Sequence, residues 1–272
     1  MTPDHDSQIH EAQPADQGRR PRLLRHGLCS VTFRPLPVVK VIELAVSAGL
    51  SVVEWGADIH VPPGDLAVAR EVRSRTAEAG LAVGSYGTYV YLGPDCEFGP
   101  VIAGALALGA PRIRVWAGRT GSAAVTAAER AAVVASAREL AARAEDAGLT
   151  VGLEFHDGSL TDTAESTLAL LADIDRPVIN TYWQPPPGLD DGATLAGLDL
   201  ILPHVIAVHA CSLSPTGRWL PLDARRRLWE AVVARLVARG VPTDVLLEFV
   251  LNDDPLQFAE DAQALDAIIR GA

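Results

Sequence analysis

The stretch DAGLTVGLEF, residues 146–155, ends a helical run on a glycine and enters an apolar strand-like run within two residues. The same order recurs in SAGLSVVEW, residues 47–55, and in EAGLAVGSY, residues 78–86. A glycine after a helix C-terminus, followed by a strand, is typical of a repeated βα unit. Outward from these three segments, strand-like runs alternate with Ala/Leu/Arg-rich helical stretches, which predicts an α/β protein with a parallel sheet.

The predicted strands are short apolar runs, and we count eight of them. They lie near residues 26–32, 51–55, 81–86, 112–116, 150–155, 177–183, 204–209 and 244–249. Eight parallel strands joined by right-handed helical crossovers close most naturally into a (β/α)8 TIM barrel, a single domain of about 250 residues. The competing fold is an open doubly wound sheet. It is disfavoured because no GxGxxG motif follows the first strand.

Length, charge and cysteine content limit the classes of function. The 272 residues suit one barrel over 23–272, preceded by a polar segment, 1–22, that we predict to be a disordered tail. The net charge of −11 argues against a nucleic-acid partner, and the short apolar runs argue against a membrane span. Three cysteines without CxxC spacing fit a reducing cytoplasm. Oligomeric state is left open, with a homodimer as the commonest assembly of soluble chains.

Three strand ends carry side chains that bind metal ions: Glu154 in VGLEFHDG, His209 in VIAVHACS and Glu248 in VLLEFVLND. The C-terminal strand ends of a TIM barrel meet at one mouth, so we expect these residues to become neighbours. Buried carboxylates need a cation, and carboxylates with one imidazole suit a divalent ion such as Mn²⁺, Mg²⁺, Co²⁺ or Zn²⁺. The alternatives are structural ion pairs for the two glutamates and a core position for the histidine.

Five further residues near strand ends are candidates for substrate contact. Trp183, before a proline-rich loop, either stacks on a sugar or plugs the barrel. Glu54 and His60 lie in VEWGADIHVPPGD after the second strand, where each is either a substrate contact or part of the loop structure. His156 shares a strand face with Glu154, two residues earlier, if the fifth strand extends that far, and otherwise belongs to the loop. Arg218 can bind a phosphate, carboxylate or hydroxyl group, or is a surface arginine.

Four segments in order carry a family resemblance: VEWGADIHVPPGD, LEFHDGSLTDT, TYWQPP and LLEFVLNDDPLQF. From about residue 25 to 270 the chain resembles the sugar phosphate isomerase/epimerase proteins of the xylose isomerase-like barrel superfamily. Members hold a divalent metal with Glu, Asp, His and Glu from strands five to eight. The resemblance therefore implies Glu154, His209 and Glu248 as metal ligands. Gln184 stands where many relatives carry the acid, and it can coordinate through its carbonyl oxygen without adding charge.

In members of that superfamily the two glutamates also move protons at adjacent substrate carbons, which implies catalytic roles for Glu154 and Glu248. The resemblance thus implies a metal-dependent isomerase or epimerase of a small carbohydrate-like substrate, a sugar or a related keto or polyol compound. The carboxylates would transfer a proton beside a metal-polarised carbonyl. Two alternatives stay open: a barrel that binds a sugar-like ligand without turnover, since Gln184 replaces the acid, and a metal-assisted lyase or dehydratase.

Overall fold

A computed structural model describes residues 23–272, and the predicted tail over 1–22 lies outside the described residues. The strands are β1 (Leu24–Cys29), β2 (Val52–Gly56), β3 (Ala82–Tyr91), β4 (Arg112–Trp116), β5 (Thr150–Leu153), β6 (Ile179–Trp183), β7 (Val205–Ala210), β8 (Ser212–Leu213), β9 (Trp219–Leu220) and β10 (Thr243–Leu247). Eight of these strands pair in parallel as a closed barrel in the order β1-β10-β7-β6-β5-β4-β3-β2. Strands β8 and β9 form a separate antiparallel hairpin at the barrel mouth. The predicted TIM barrel is confirmed.

Within the part of the chain that the structure describes, eight α-helices surround the barrel, one after each barrel strand. They are α1 (Val38–Ser47), α2 (Leu66–Glu78), α3 (Gly99–Leu108), α4 (Ala127–Asp146), α5 (Ala164–Ile174), α6 (Asp191–Ile201), α7 (Arg226–Arg239) and α8 (Pro255–Gly271). Within residues 23–272, no helix combines the length and the apolar character that a bilayer-spanning segment requires. Apolar side chains between the strands and the helices form one continuous core.

The Ala-Gly-Leu sequences that precede β2, β3 and β5 share one structural role. After α1, Gly49 adopts a left-handed φ of 70°, and the Leu50 amide donates back to the carbonyl of Ala45 at 3.0 Å. The amides of Leu81 and Leu149 donate in the same way after α2 and α4. These bonds satisfy carbonyls that the helix end leaves free, while each leucine is buried against the core. The motif therefore ends a helix and turns the chain into the next strand.

The observed strand boundaries differ from the predicted ones in a way that matters for function. Strands β5 and β10 end one residue before Glu154 and Glu248, so both carboxylates start the loops above the barrel. Their backbones still continue the sheet, because the Glu154 amide donates to Val115 at 2.9 Å and the Glu248 amide donates to Ala210 at 3.2 Å. The two side chains are thus held by strand geometry although they lie at the mouth.

Close approach of β1 to β2 requires a glycine at position 27. A Cβ on Gly27 would lie 2.3 Å from the backbone oxygen of Val52, which cannot move without breaking the barrel. We expect Gly27→Ala to lower the free energy of unfolding by about 1–3 kcal/mol through overpacking. Gly99→Ala is the matched control, since nothing lies within 4 Å of a Cβ at the start of α3. Urea unfolding measures both variants, and equal midpoints would contradict the explanation.

Candidate functional site

Glu154, His209 and Glu248 come together at the C-terminal mouth of the barrel. Each offers one ligand atom, and these three atoms lie within 4.8 Å of one another. His209 Nδ1 lies 3.0 Å from Glu248 Oε2 and 4.0 Å from Glu154 Oε1. All three side chains are almost completely buried. The barrel therefore joins groups from β7 and from the ends of β5 and β10 that are far apart in the sequence.

A cavity of about 410 Å³ opens above this cluster. Its floor includes Glu154 and Glu248, and Gln184 lies half-buried in the same lining. His209 lies beneath the floor, with 1% of its surface exposed. The walls are formed mainly by aromatic side chains, together with polar and small residues of the loops. The aromatic members are Tyr89, Tyr91, Trp116, Trp219 and Phe249.

Arg114, in the middle of β4, is the main site residue that the sequence analysis missed. It is 1% exposed, and its Nε donates to Glu54 Oε1 at 3.0 Å. Its Nη1 forms an ion pair with Glu154 Oε2. The signal in the sequence was a charged residue between two apolar ones in RIRVW, an unusual position that implies a buried partner. Arg114 links the cavity floor to the barrel interior.

Glu54 was a predicted substrate contact, and the structure corrects its placement. Its side chain is fully buried below the floor, where it accepts a hydrogen bond from Ser85 Oγ at 2.6 Å. It also lies 3.3 Å from His209 Nε2 and contacts Arg114. Glu54 supports the residues above it and does not reach the cavity.

The carboxylates and cations of this cluster shift one another's ionisation. Burial would raise the pKa of Glu54, but the positive charges of Arg114 and His209 outweigh burial and hold that pKa below its usual range. Burial would likewise raise the pKa of Glu248, and the neighbouring His209 lowers it. The carboxylates of Glu248 and Glu54 overcome burial and raise the pKa of His209 to about 9. With no metal bound, the two carboxylates favour the protonated form of His209.

The donor set fits a divalent metal. Within residues 23–272, carboxylate oxygens lie 3.3 Å and 3.0 Å from the two ring nitrogens of His209 but are not aligned for regular hydrogen bonds. If His209 is neutral, the carboxylates of Glu54, Glu154 and Glu248 with one arginine leave two negative charges, which a divalent ion balances. Glu154, His209 and Glu248 can supply ligand atoms. Gln184 adds an amide oxygen in the same cavity.

A second group of possible ligands, formed by Cys29, Glu54 and His209, is less suited to a metal. Their donor atoms also lie within 4.8 Å of one another. However, Arg114 already occupies the Glu54 oxygen nearest to them, and burial together with the nearby Glu54 raises the pKa of the Cys29 thiol. A protonated thiol beside a guanidinium does not attract a cation. The mouth cluster is therefore the better metal site.

Two predicted substrate contacts lie away from the cavity. Trp183 is 1% exposed and packs against Trp229 between the barrel and the helices, so the prediction that it faces the mouth is wrong. The physical reason is strand alternation: Gln184 faces the cavity, so its neighbour must face outward. His60 is also buried, with Nδ1 2.9 Å from Ser30 Oγ and Nε2 3.0 Å from the Leu36 carbonyl. Both of its nitrogens are used within the protein.

The last two predicted contacts differ in position. His156 lines the cavity, where its ring lies 4.4 Å from that of Trp116, but it follows the end of β5 and belongs to the loop. Arg218 is exposed in the turn of the β8–β9 hairpin and lines an adjacent groove with Asn252 and Asp253. The structure thus brings His156 next to the carboxylates and leaves Arg218 outside the cavity.

A closed parallel barrel with carboxylates and an imidazole at the mouth defines a class of (β/α)8 proteins, and comparison with known proteins identifies the family. The family model described as "Xylose isomerase-like TIM barrel" matches residues 42–268. The chain belongs to this family. A comparison with curated proteins finds no significant sequence match.

Solved structures show the same fold at low sequence identity. The probable 3-DHS dehydratase AsbF from Bacillus anthracis has a TM-score of 0.76 and 18% identity, over 89% of this chain and 98% of that one. D-psicose 3-epimerase from Clostridium cellulolyticum H10 has a TM-score of 0.70 and 15% identity, over 91% and 98%. A xylose isomerase-like TIM barrel protein from Mycobacterium smegmatis, solved in complex with magnesium, has a TM-score of 0.67 and 17% identity, over 90% and 97%.

Replacing Arg114 tests how much this cation stabilises the buried carboxylates. We expect Arg114→Met to destabilise the protein by about 3–5 kcal/mol, because Glu54 and Glu154 lose their cation in a buried site. Adding Glu54→Gln should recover part of this loss. The double variant leaves only the Glu154 carboxylate without its arginine partner, whereas Arg114→Met alone leaves two such carboxylates. Arg75→Met, which breaks only an exposed pair with Glu71, is the control and should change stability little.

The double-mutant cycle consists of the wild type, Arg114→Met, Glu54→Gln and the double variant. Urea unfolding of these four proteins at pH 7 gives the coupling free energy between positions 54 and 114. Strictly additive losses would show that the ion pair does not support the site.

Proposed function

We propose that the protein is a metal-dependent isomerase or epimerase of a small sugar-like carbonyl compound, acting through carboxylate-mediated proton transfer. The observation that carries this proposal is the convergence of Glu154, His209 and Glu248 within 4.8 Å at the base of the cavity in the barrel mouth. Two carboxylates that border one cavity can remove a proton from a substrate carbon and return it to the neighbouring carbon or to the opposite face. The fold family and the epimerase among its structural neighbours support the same chemistry.

The two carboxylates have different surroundings, which suits them to different steps. Glu154 is paired with Arg114, a permanent cation, so its ionised form is favoured and it starts as the base. Glu248 has His209 as its ion-pair partner among the described residues and contacts no arginine. It can therefore hold a proton more readily once His209 is neutral. Carboxyl groups in unequal environments are a common basis for dividing acid and base roles.

A divalent metal would be held by Glu154, His209 and Glu248, with Gln184 as a neutral oxygen donor. When bound, such an ion polarises a substrate carbonyl and stabilises negative charge on its oxygen. The protein itself orients the donors: Glu54 lies 3.3 Å from His209, and Arg114 holds Glu154. Aromatic side chains line the walls above these donors.

Glu248→Gln tests the proton transfer directly. Incubation of the wild-type protein with ketoses in D₂O should place deuterium on a carbon next to the carbonyl, detected by NMR. The Gln side chain cannot accept the proton, so we expect exchange to fall by at least about a hundredfold while the protein stays folded. Glu139→Gln, on the exposed face of α4, is the matched control and should keep full exchange. Undiminished exchange in Glu248→Gln would remove this residue from the mechanism.

The same experiment separates the alternative functions. A lyase or dehydratase would show loss of water and a new alkene signal after the same proton abstraction. A barrel that only binds its ligand would show neither exchange nor a new product.

Metal content is the second test. We expect protein purified without chelator to hold close to one divalent metal ion per chain, measured by elemental mass spectrometry. The Glu154→Gln/Glu248→Gln double variant should lose this metal, because both of its charged ligands become neutral. Absence of metal from the wild type, even after addition of Mn²⁺, Co²⁺ or Zn²⁺, would argue for the ligand-binding alternative.

A further inference from the structure

Aromatic side chains are concentrated at the cavity above the carboxylates. Aromatic residues make up only 5% of the chain, yet five of them line this one cavity. Tyr89 and Tyr91 at the end of β3 stack with Trp116 at the end of β4, with ring centroids 6.2 Å and 5.1 Å from that of Trp116. Trp219 of β9 contacts Phe249 after β10, with ring centroids 5.5 Å apart. We call these the tyrosine wall and the Phe249 wall.

The two walls lie on opposite sides of the mouth. In the barrel order, β4 and β10 are separated by three strands in either direction, which is the greatest separation that eight strands allow. The tyrosine wall rises from β3 and β4, and Phe249 follows β10 directly. A molecule that enters the cavity therefore has aromatic surface on two sides and the carboxylates beneath it. Flat aromatic walls suit a ring whose faces carry C–H groups and whose edge carries hydroxyl groups.

The backbone at Phe249 supports a binding role for its ring. Phe249 has a left-handed φ of 53°, a conformation that is costly for a bulky residue. Its amide donates to Thr32 Oγ1 at 3.1 Å, which helps to hold this conformation. Strained residues persist at sites where the conformation serves function. Here the conformation places an aromatic ring in the cavity lining directly after the catalytic candidate Glu248.

The charges around the cavity disfavour an anionic substrate. Among the described residues, the lining includes the carboxylates of Glu154, Asp157 and Glu248 but no lysine or arginine. The arginines nearest to the tyrosine wall have other partners. Arg34 pairs with Asp58, Arg114 pairs with Glu54 and Glu154, and Arg119 stacks on Tyr91 and lines a neighbouring cavity. Arg218 lines the adjacent groove, which shares Trp219 and Phe249 with the cavity, but it is not part of the cavity lining. A phosphate or carboxylate group at the cavity floor would thus lie near acids with no cationic side chain in the lining to pair with it.

We infer that the substrate is an uncharged polyhydroxylated ring compound, held between the tyrosine wall and the Phe249 wall, and that phosphorylated sugars are excluded. The inference rests on the proposed function for the reacting carbonyl but concerns what the cavity binds. The cavity of about 410 Å³ is in the range that encloses one small molecule. Phe249 and Trp219 are then specificity-determining residues.

Calorimetric titration of the metal-loaded protein with matched probes tests the charge requirement. The probes are D-fructose against D-fructose 1-phosphate, and myo-inositol against myo-inositol 1-phosphate; the members of each pair differ in one phosphate group. We expect the uncharged member of each pair to bind at least tenfold more tightly. Equal or tighter binding of the anionic members, or no binding of either uncharged probe, would overturn the inference.

Phe249→Gly tests the wall. Glycine accepts the left-handed backbone, so we expect an unchanged or higher thermal midpoint together with at least fivefold weaker binding of the uncharged probe. Asn252→Gly is the matched control, because Asn252 has a φ of 60° in the same loop but lies outside this cavity. It should relieve the same strain without changing affinity. A lower midpoint with unchanged affinity in Phe249→Gly would make the ring structural and overturn its role.

Deuterium exchange in D₂O, measured separately on the same probes, distinguishes failure of this inference from failure of the proposed function. Exchange into a phosphorylated sugar with tight binding would keep the function and reject the inference. Tight binding of an uncharged ring without exchange into any ketose would do the reverse.

Discussion

The ion pairs of Arg114 with Glu54 and Glu154 are the constraint on which the site depends. They place a permanent positive charge inside the barrel, where it compensates carboxylates that could not otherwise stay ionised without water. Space for the guanidinium exists because residue 87 is glycine: a Cβ there would lie 2.8 Å from Arg114 Nη2 and 2.7 Å from Glu54 Oε1. The glycine, the arginine and the two glutamates thus form one unit. Through Glu54 this unit also reaches His209, so the whole floor of the cavity shares one electrostatic balance.

The charge balance of this cluster bears on the amide side chain of Gln184, which stands where an acidic ligand was expected. A site with a third carboxylate ligand in place of Gln184 would carry one more negative charge, which Arg114, Glu54 and a divalent ion would have to accommodate together. With the amide, the charges of the buried cluster and a divalent ion sum to zero if His209 is neutral. Gln184 is therefore consistent with a working metal site and does not by itself indicate a disabled one.

Most of the fold could be predicted from the sequence because its signals are local. The Ala-Gly-Leu segments before β2, β3 and β5 each set a helix end within three residues, and the strand that follows is nearly continuous apolar sequence. The grouping of Glu154, His209 and Glu248 at the mouth was also predictable, since parallel strands in a barrel end at one face. Trp183 shows where such reasoning needs more care: strand alternation forbids adjacent residues from facing the same side, and Gln184 already faced the cavity. Arg114 and the aromatic walls were missed because their roles depend on contacts between distant loops and strands.

The aromatic side chains that line the cavity and the carboxylates at its floor lie on different structural elements, and this affects how the protein can evolve. The carboxylates extend from strand ends whose backbones are fixed by the sheet, whereas Trp219 lies in a hairpin inserted after β7 and Phe249 in the loop before α8. Substitutions in those loops would reshape the opening without moving the acid and base groups. Under the proposed function, the selection of a molecule and the reaction performed on it would be encoded in different parts of the chain. In a lineage of such proteins, a new substrate could be acquired through two short segments while the reaction is inherited unchanged.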